Sequence, residues 1–253
     1  MRVEDWFGEG VAAGYDTPGV GRFSADVLGP TVDFLAALAG DGAALELGIG
    51  TGRVALPLSE RGVPVHGIDL SPAMVAQLRE KPGAERVDVT IGDFAATRVD
   101  GQFRLVYLVY NTINNLTTQD AQVACFRNAA AHLEPGGCFV VEVGVPALRH
   151  FPPGTTTHVF ARTESYVGFD EYTDLTRQQM WSHHWRIGSD GTAGVFSMPF
   201  RYVWPSELDL MARLAGLTFR ERWAGWERDP FVDDSPSHVS VWQKPSEPPA
   251  KGS

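Results

Sequence analysis

Short apolar runs alternate with amphipathic stretches over the first 144 residues. Strand patterns end at Glu46, at Asp69 and at Ile91, and the continuous apolar run over 105–109 is typical of a strand buried on both faces. Apolar residues at helical spacing predict helices from Pro30, over 73–79 and over 118–133, followed by a fifth strand at 138–143. This alternation favours an α/β fold with a doubly wound parallel sheet.

The pattern changes between residues 145 and 204. Prolines precede four short strand patterns, over 156–162, 165–169, 178–187 and 194–200. In the third of these, His183 and His184 are neighbours, so their side chains are expected on opposite faces. The segment predicts a small antiparallel sheet, inserted before a helix at 206–215. Two further strand patterns, at 217–222 and 238–244, close the chain.

Composition limits the classes of function. The chain has 253 residues, 43% of them hydrophobic, and its 21 basic and 31 acidic residues give a net charge of −10. An acidic chain offers no electrostatic footprint for nucleic acid, and no apolar run reaches the length of a membrane span. The first residues contain no apolar signal core, so we expect a cytoplasmic protein. Cys125 and Cys138 are expected as buried free thiols, and no Cys/His spacing predicts a metal site.

A glycine-rich turn follows the first strand. Gly48, Gly50 and Gly52 alternate after Glu46, in a strand–loop–helix order typical of nucleotide-cofactor sites. The dinucleotide fingerprint requires a third glycine at the position that Arg53 occupies. The Glu46 carboxylate would also repel a pyrophosphate but attract a cationic amino-acid tail. Both features count against a nicotinamide cofactor, although the turn alone is also compatible with a plain link between strand and helix.

Acidic and amide residues follow the next strands. Asp69 ends the second strand, where a carboxylate can accept the hydroxyls of an adenosine ribose. Asp93 and Phe94 follow the third strand, and Asn111 follows the fourth in an asparagine-rich turn. Taken singly, each is explained equally well as a turn residue. An acid at the ends of three successive strands, Glu46 included, is a stronger indication of a cofactor site.

The segments 46–53, 67–71, 92–94 and 134–142 resemble the motifs of class I S-adenosylmethionine (SAM) methyltransferases, and residues 15–244 resemble a bacterial small-molecule member. The stretch 201–211 resembles antibiotic-tailoring lincosamide N-methyltransferases, or is a structural joint between strand and helix. The resemblance implies a Rossmann-like, mostly parallel sheet of seven strands, closed by an antiparallel hairpin. It also implies that SAM contacts Tyr15, Glu46, Gly48, Gly50, Gly52, Asp69, Leu70, Asp93, Phe94 and Asn111.

This resemblance implies transfer of a methyl group from SAM to a nitrogen or oxygen of a small metabolite in natural-product tailoring, with S-adenosylhomocysteine (SAH) as the product. The candidate catalytic residues are His183, His184 and Tyr15, although a histidine beside Trp181 and Trp185 is more often a packed core or sheet residue. One alternative is a protein of the SAM fold that does not methylate, either a cyclase or a binding module. A less favoured alternative is an NAD-dependent oxidoreductase.

The resemblance also divides the chain. Residues 1–40 are expected to form N-terminal lid helices, and 41–144 together with 205–244 the SAM-binding core. Residues 145–204 are expected to serve the acceptor site or oligomerisation, and 245–253 to form a disordered tail. The expected partner is a small-molecule acceptor, with no nucleic acid and no membrane, and a homo-oligomer is left open.

Overall fold

The computed structural model describes residues 5–16, 21–188 and 190–246. Parts of the predicted lid (1–4 and 17–20), the turn residue Ser189 and most of the predicted tail (247–253) lie outside the described residues. The helices are α1 (Glu9–Ala12), α2 (Ala25–Ala39), α3 (Ala55–Glu60), α4 (Pro72–Arg79), α5 (Gln119–His132) and α6 (Pro205–Leu214). The strands are β1 (Ala44–Leu47), β2 (Val65–Asp69), β3 (Val87–Ile91), β4 (Phe103–Leu108), β5 (Leu133–Gly144), β6 (Thr157–Arg162), β7 (Tyr166–Asp174), β8 (Gln179–Ile187), β9 (Ala193–Arg201), β10 (Thr218–Trp223) and β11 (Ser237–Gln243).

Seven strands form the main sheet, in the order β10-β11-β5-β4-β1-β2-β3. Strands β1 to β5 pair in parallel, and β11 pairs antiparallel with both β5 and β10. Apolar side chains pack on both faces, with Leu45 and Leu47 of β1 in one buried cluster and Ala44 in the other. The predicted α/β fold, with its doubly wound sheet and closing antiparallel hairpin, is confirmed.

The carboxyl ends of the parallel strands meet at one edge of this sheet. Glu46 is in register with Gly67 of β2 and with Tyr107 of β4. Asp69 is in register with Ile91 at the end of β3. Residues that follow these strands therefore gather at a single edge, where ligands bind in open α/β sheets.

The inserted strands form a separate antiparallel sheet, in the order β6-β7-β8-β9. Its last residue, Arg201, is buried and donates to the side chains of Gln122 in α5 and Glu207 in α6, the second at 2.7 Å. Gln122 in turn donates to the Arg201 carbonyl at 3.0 Å. The predicted antiparallel insertion is confirmed, and Arg201 joins it to the main core through buried hydrogen bonds.

Three element boundaries differ from the predictions by five residues. Helix α2 begins at Ala25 and continues through Pro30, which forfeits only one hydrogen bond near the helix start. Strand β5 begins at Leu133, because the glycines before its apolar run already pair with the chain after β11. Strand β7 continues beyond Phe169 to Asp174, since it keeps pairing with β8.

The structure also bears on the two cysteines and on membrane-spanning helices. Cys125 and Cys138 are free and buried, as predicted. In the part of the chain that the structure describes, no helix combines the length and the apolar character needed to cross a lipid bilayer.

Candidate functional site

A cavity of about 670 Å³ lies where the main sheet, the N-terminal segment and the inserted sheet meet. The carboxyl edge of the main sheet forms one wall, the segment from Asp5 to Tyr15 forms a second, and strands β6 to β9 form a third. This volume is in the range of small-molecule sites. Residues from three separate parts of the sequence therefore converge on one pocket.

The glycine turn after β1 forms the wall at the edge of the main sheet. Gly48, Gly50 and Gly52 have φ angles of +75°, +55° and +76°, in the left-handed region that favours glycine. A Cβ on Gly48 would lie 2.7 Å from the Thr112 side chain, so a larger residue does not fit there. Gly48 and Gly50 line the cavity. Gly52 does not, and a Cβ there would lie 2.9 Å from Leu78 of α4. Gly52 thus permits close packing of the turn on α4.

Asp69 connects this turn to the end of β2. Its Oδ2 accepts the Gly50 backbone N–H at 2.6 Å, and its Oδ1 accepts the Ser71 N–H at 2.9 Å. Burial raises the pKa of the Asp69 carboxyl, and the two backbone hydrogen bonds counteract that effect. Asp69 and the adjacent Leu70 line the cavity. A carboxylate has about four lone-pair sites, so Asp69 can still accept two ribose hydroxyls.

Glu46 lies beneath the turn and is only 3% exposed. Its Oε2 accepts the Tyr107 hydroxyl at 2.9 Å. Burial raises the pKa of Glu46 to about 8, against the lowering effects of the Tyr107 hydrogen bond and the Arg53 charge. Glu46 is not among the residues that line the cavity, so its contact with SAM stays a prediction. In this structure it supports the turn from the inside.

The residues predicted after the third strand also line the cavity. Asp93 and Phe94 line it, and Asp93 Oδ1 accepts the Ala95 N–H at 2.8 Å, which fixes the carboxylate. An apolar ring beside a fixed carboxylate suits a flat heterocycle that carries an amino group. This pair is therefore the part of the wall best suited to adenine.

The turn after β4 is held in an unusual backbone conformation. Tyr110 and Asn111 have φ angles of +57° and +61°, in the left-handed region that residues other than glycine seldom adopt. Glu142 of β5 accepts the Tyr110 N–H at 2.9 Å, and Asn111 Oδ1 accepts the Gly144 N–H at 2.6 Å. Both turn residues line the cavity. Backbone strain of this kind clusters at ligand sites, where surrounding contacts hold it in place.

The N-terminal segment contributes Tyr15 and a residue that the sequence analysis missed. Tyr15 lines the cavity and packs edge-on against Phe7 and Phe23, with ring centroids 6.1 and 6.4 Å away. The Arg22 guanidinium lies 4.5 Å from the Tyr15 ring centroid and 4.3 Å from that of Tyr110. Arg22 also lines the cavity, and its Nε is buried without a hydrogen-bond partner. A guanidinium in this position is suited to a carboxylate.

The structure separates the two candidate histidines. His184 lines the cavity, with its Nδ1 2.7 Å from the Tyr166 hydroxyl and its Nε2 3.3 Å from the Ser182 hydroxyl. Burial lowers the pKa of His184, so its ring is neutral near pH 7. His183 does not line the cavity; it stacks on Phe169, with ring centroids 4.7 Å apart. The alternation of side chains along β8 thus places His184 at the site and His183 on the opposite face.

Two polar residues of the inserted sheet were not predicted. Asp170 of β7 and His158 of β6 line the cavity beside Ser182. Burial raises the pKa of the Asp170 carboxyl, and the Ser182 hydroxyl and the nearby His158 partly offset that effect. The predicted strand ended at Phe169, one residue short of Asp170. Continuing the two-residue alternation from Tyr166 would have found this position.

The pocket fits SAM better than it fits a dinucleotide. Asp69 can hold a ribose, the Asp93 and Phe94 pair can hold adenine, and the unpartnered Arg22 Nε can hold the carboxylate of an amino-acid tail. Gly48 and Gly50 line the cavity without a Cβ, which allows a ligand to approach the backbone closely. Among the described residues, no group of three His, Cys, Asp or Glu side chains could hold a metal ion.

Comparisons with known proteins agree with this geometry. A family profile described as "Methyltransferase domain" matches residues 44–137, which contain the glycine turn, Asp69 and Asp93. The chain is 30% identical over 203 residues to the cypemycin N-terminal methyltransferase of a Streptomyces species, which covers 79% of this chain and 82% of that protein.

Solved structures give the same result. The CcbJ methyltransferase from Streptomyces caelestis has 38% sequence identity and a TM-score of 0.78, over 85% of this chain and 88% of that one. The amino pentose methyltransferase CalS10 from Micromonospora echinaspora has 22% identity and a TM-score of 0.63, over 95% of this chain and 92% of that one. At that identity CalS10 supports the fold alone.

Proposed function

Because the chain belongs to the SAM-dependent methyltransferases, we propose that it methylates an amine nitrogen of a small natural product. The relative named as the cypemycin N-terminal methyltransferase acts, by that name, on the N-terminus of cypemycin. The acceptor is proposed from the residues that line the part of the cavity formed by the inserted sheet. The part formed by the main sheet is assigned to the cofactor.

One observation carries the proposal. The same cavity that contains Asp69 and Asp93 at the sheet edge contains His184 and Tyr166 on the inserted sheet. A methyl donor held at the edge of the main sheet therefore faces an acceptor held at the inserted sheet. Bound SAM supplies a methyl group on a positively charged sulfur, and alignment of the two reactants is the main task of the protein.

The reaction needs an uncharged nitrogen. Its lone pair forms the new nitrogen–carbon bond while the carbon–sulfur bond breaks, and that electron pair stays on sulfur to give SAH. The nitrogen then carries one proton too many. A neutral His184 ring can accept that proton, directly or through the Tyr166 hydroxyl 2.7 Å away. The aromatic and apolar walls exclude water that would compete for the site.

Mass spectrometry provides the test. Wild-type protein is incubated with SAM and a panel of aminosugars, cyclic secondary amines and peptide N-termini, each paired with its alcohol analogue. We expect SAH and a product heavier by one methyl group with members of the amine set. Production of SAH only with the alcohols would refute N-methylation, and tight SAM binding without any SAH would favour the alternative of a binding module.

A cytoplasmic location, a homo-oligomeric state and the absence of a nucleic-acid partner stay predictions from the sequence. The assignment of residues 1–40 as lid helices and of 145–204 to the acceptor site or oligomerisation likewise stays a prediction, and for the acceptor site it is part of this proposal. It is supported by the contribution of both segments to the cavity wall.

A further inference from the structure

Three polar side chains form a row across the inserted sheet. Asp170 of β7 is in register with His158 of β6 on one side and with Ser182 of β8 on the other. Paired residues of neighbouring strands point to the same face of a sheet. All three line the cavity, so the row faces the interior.

The surroundings of this row are largely apolar. The neighbouring positions that line the cavity on β6 to β9 include Phe160, Tyr172, Met180, Phe196, Met198 and Phe200. A carboxylate among such side chains is costly unless a charged or hydrogen-bonding partner satisfies it. The inserted sheet thus places one acidic group inside an apolar wall.

The groups near Asp170 offset the cost of its burial only in part. They are the Ser182 hydroxyl, the His158 ring and, from the other face of β8, the His183 ring. Among the lysine and arginine side chains that the structure describes, none lies within ion-pair distance of Asp170. A bound amine in its ammonium form is therefore the natural source of a positive charge. Such an amine must release one proton to the solvent before its lone pair is available for methyl transfer.

The cationic residues of the cavity lie elsewhere. Arg22 stacks on Tyr15 and Tyr110 in the half suited to the cofactor. Arg186 is exposed and directs its Nη1 to the Gly14 carbonyl of the N-terminal segment, at 3.4 Å. Neither arginine is therefore paired with Asp170, although both act electrostatically on Tyr166 of the same sheet.

Resting on the proposed function, we propose that Asp170, in its row with His158 and Ser182, is the residue that selects the acceptor. The acceptor class that fits is an amine on an apolar body, with its nitrogen hydrogen-bonded to Asp170 and its body against the methionine and phenylalanine wall. An alcohol of the same shape can donate a hydrogen bond to the Asp170 carboxylate but brings no positive charge to it. A carboxylic acid is repelled. Binding through Asp170 makes and breaks no covalent bond, so its role is recognition.

The test uses the full chain saturated with SAH, so that no turnover occurs. The probes are cyclohexylmethylamine, cyclohexylmethanol and cyclohexanecarboxylate, which share a body and differ in one polar group. Dissociation constants are measured by ligand-observed NMR. We expect the amine, which is an ammonium ion at neutral pH, to bind about tenfold more tightly than the alcohol, because it adds the attraction of an opposite charge to the hydrogen bond, and the carboxylate not to bind.

Two variants locate the effect. Asp170→Asn should bring the affinity for the amine down to that for the alcohol while leaving SAH affinity unchanged. Glu171→Gln is the matched control, because Glu171 is the next carboxylate along β7 and lies 3.5 Å from His183 on the opposite face. It should keep the preference for the amine. Where Asp170→Asn fails to fold, Asp170→Ser takes its place with the same expected loss.

The proposal is overturned if wild-type protein binds the amine no better than the alcohol, or if its preference survives the loss of the Asp170 carboxylate. Either result leaves the proposed methyl transfer intact, because SAH binding and product formation are measured separately. Failure of the wild type to bind SAH would instead refute the proposed function itself.

Discussion

Replacing Glu46 with glutamine should remove a pH dependence from the stability of the fold. The folded protein holds the Glu46 proton up to a pKa of about 8, whereas an unfolded chain releases it at the ordinary value of 4.5. Between these two values the unfolded state binds fewer protons, so rising pH favours unfolding. The contribution of Glu46 is therefore full below pH 4.5 and is lost as the pH rises through about 8.

The size of this effect follows from the displacement of the pKa. Each pH unit costs about 1.4 kcal/mol of stability, so the whole window is worth about 5 kcal/mol. That is the lower end of the total stability of a typical domain. Glutamine imitates the protonated form and carries no such cost. The Glu46→Gln protein should match the wild type near pH 5 and be several kcal/mol more stable at pH 8.

Urea unfolding of the ligand-free protein at pH 5, 6, 7 and 8 measures the effect. The Glu85→Gln protein is the control, since Glu85 is exposed and its neutralisation should leave the wild-type slope unchanged. If the wild-type and Glu46→Gln curves run parallel across this range, the reasoning about a buried, protonated Glu46 is wrong. Repeating the unfolding experiment with saturating SAM tests whether Glu46 contacts the cofactor. If the ammonium group of SAM lies close to Glu46, SAM should stabilise the wild type more than the variant at pH 7.

Three further changes test the two halves of the cavity. Asp69→Asn should weaken SAM binding by about 1.5–3 kcal/mol, the value of a hydrogen bond to a charged acceptor, and unchanged affinity in calorimetry would contradict the ribose assignment. Gly48→Ala should cost about 1–3 kcal/mol of stability from backbone strain and should also weaken SAM binding. Gly62→Ala is the control, because Gly62 has a φ of +87° and open space around it. In parallel urea melts and SAM titrations it should lower stability alone. His184→Gln should lower kcat/KM by about 10²–10⁴-fold at an unchanged SAM dissociation constant, while equal losses in His184→Gln and His183→Gln would argue against a base at His184.

The cofactor half could be predicted because its residues follow strands in order. Parallel strands bring their carboxyl ends to one edge, so an acid after β1, β2 or β3 has a defined destination. Asp69 and Asp93 were placed in this way. The sequence pattern does not show how deeply a residue is buried. Glu46 ends its strand like the other acids, but it lies under the turn instead of facing the cavity. Burial depends on how α3 and β4 pack around it.

The acceptor half was harder to predict, for two physical reasons. Alternation separates His183 from His184 but does not say which face is inward, and the tryptophans Trp181 and Trp185 lie on the face of His183. Arg22 lies in a short segment without periodicity, and its role depends on contacts with rings as far away in sequence as Tyr110. Asp170 was lost because a strand boundary was placed one residue too early. In each case the missing information is tertiary.

The division of the site between two sheets has a consequence for how such proteins diversify. In the described part of the chain, β6 to β9 pair as strands only with one another, and the segment leaves β5 at Gly144 and joins α6 through the buried Arg201. Drift or exchange of this segment would change which molecule is recognised while the donor chemistry stays constant. Residues 145–200 are thus a segment that could carry acceptor selectivity from one protein to another. A chimaera that keeps Arg201 and receives residues 145–200 from a relative would be expected to take the acceptor selectivity of that relative.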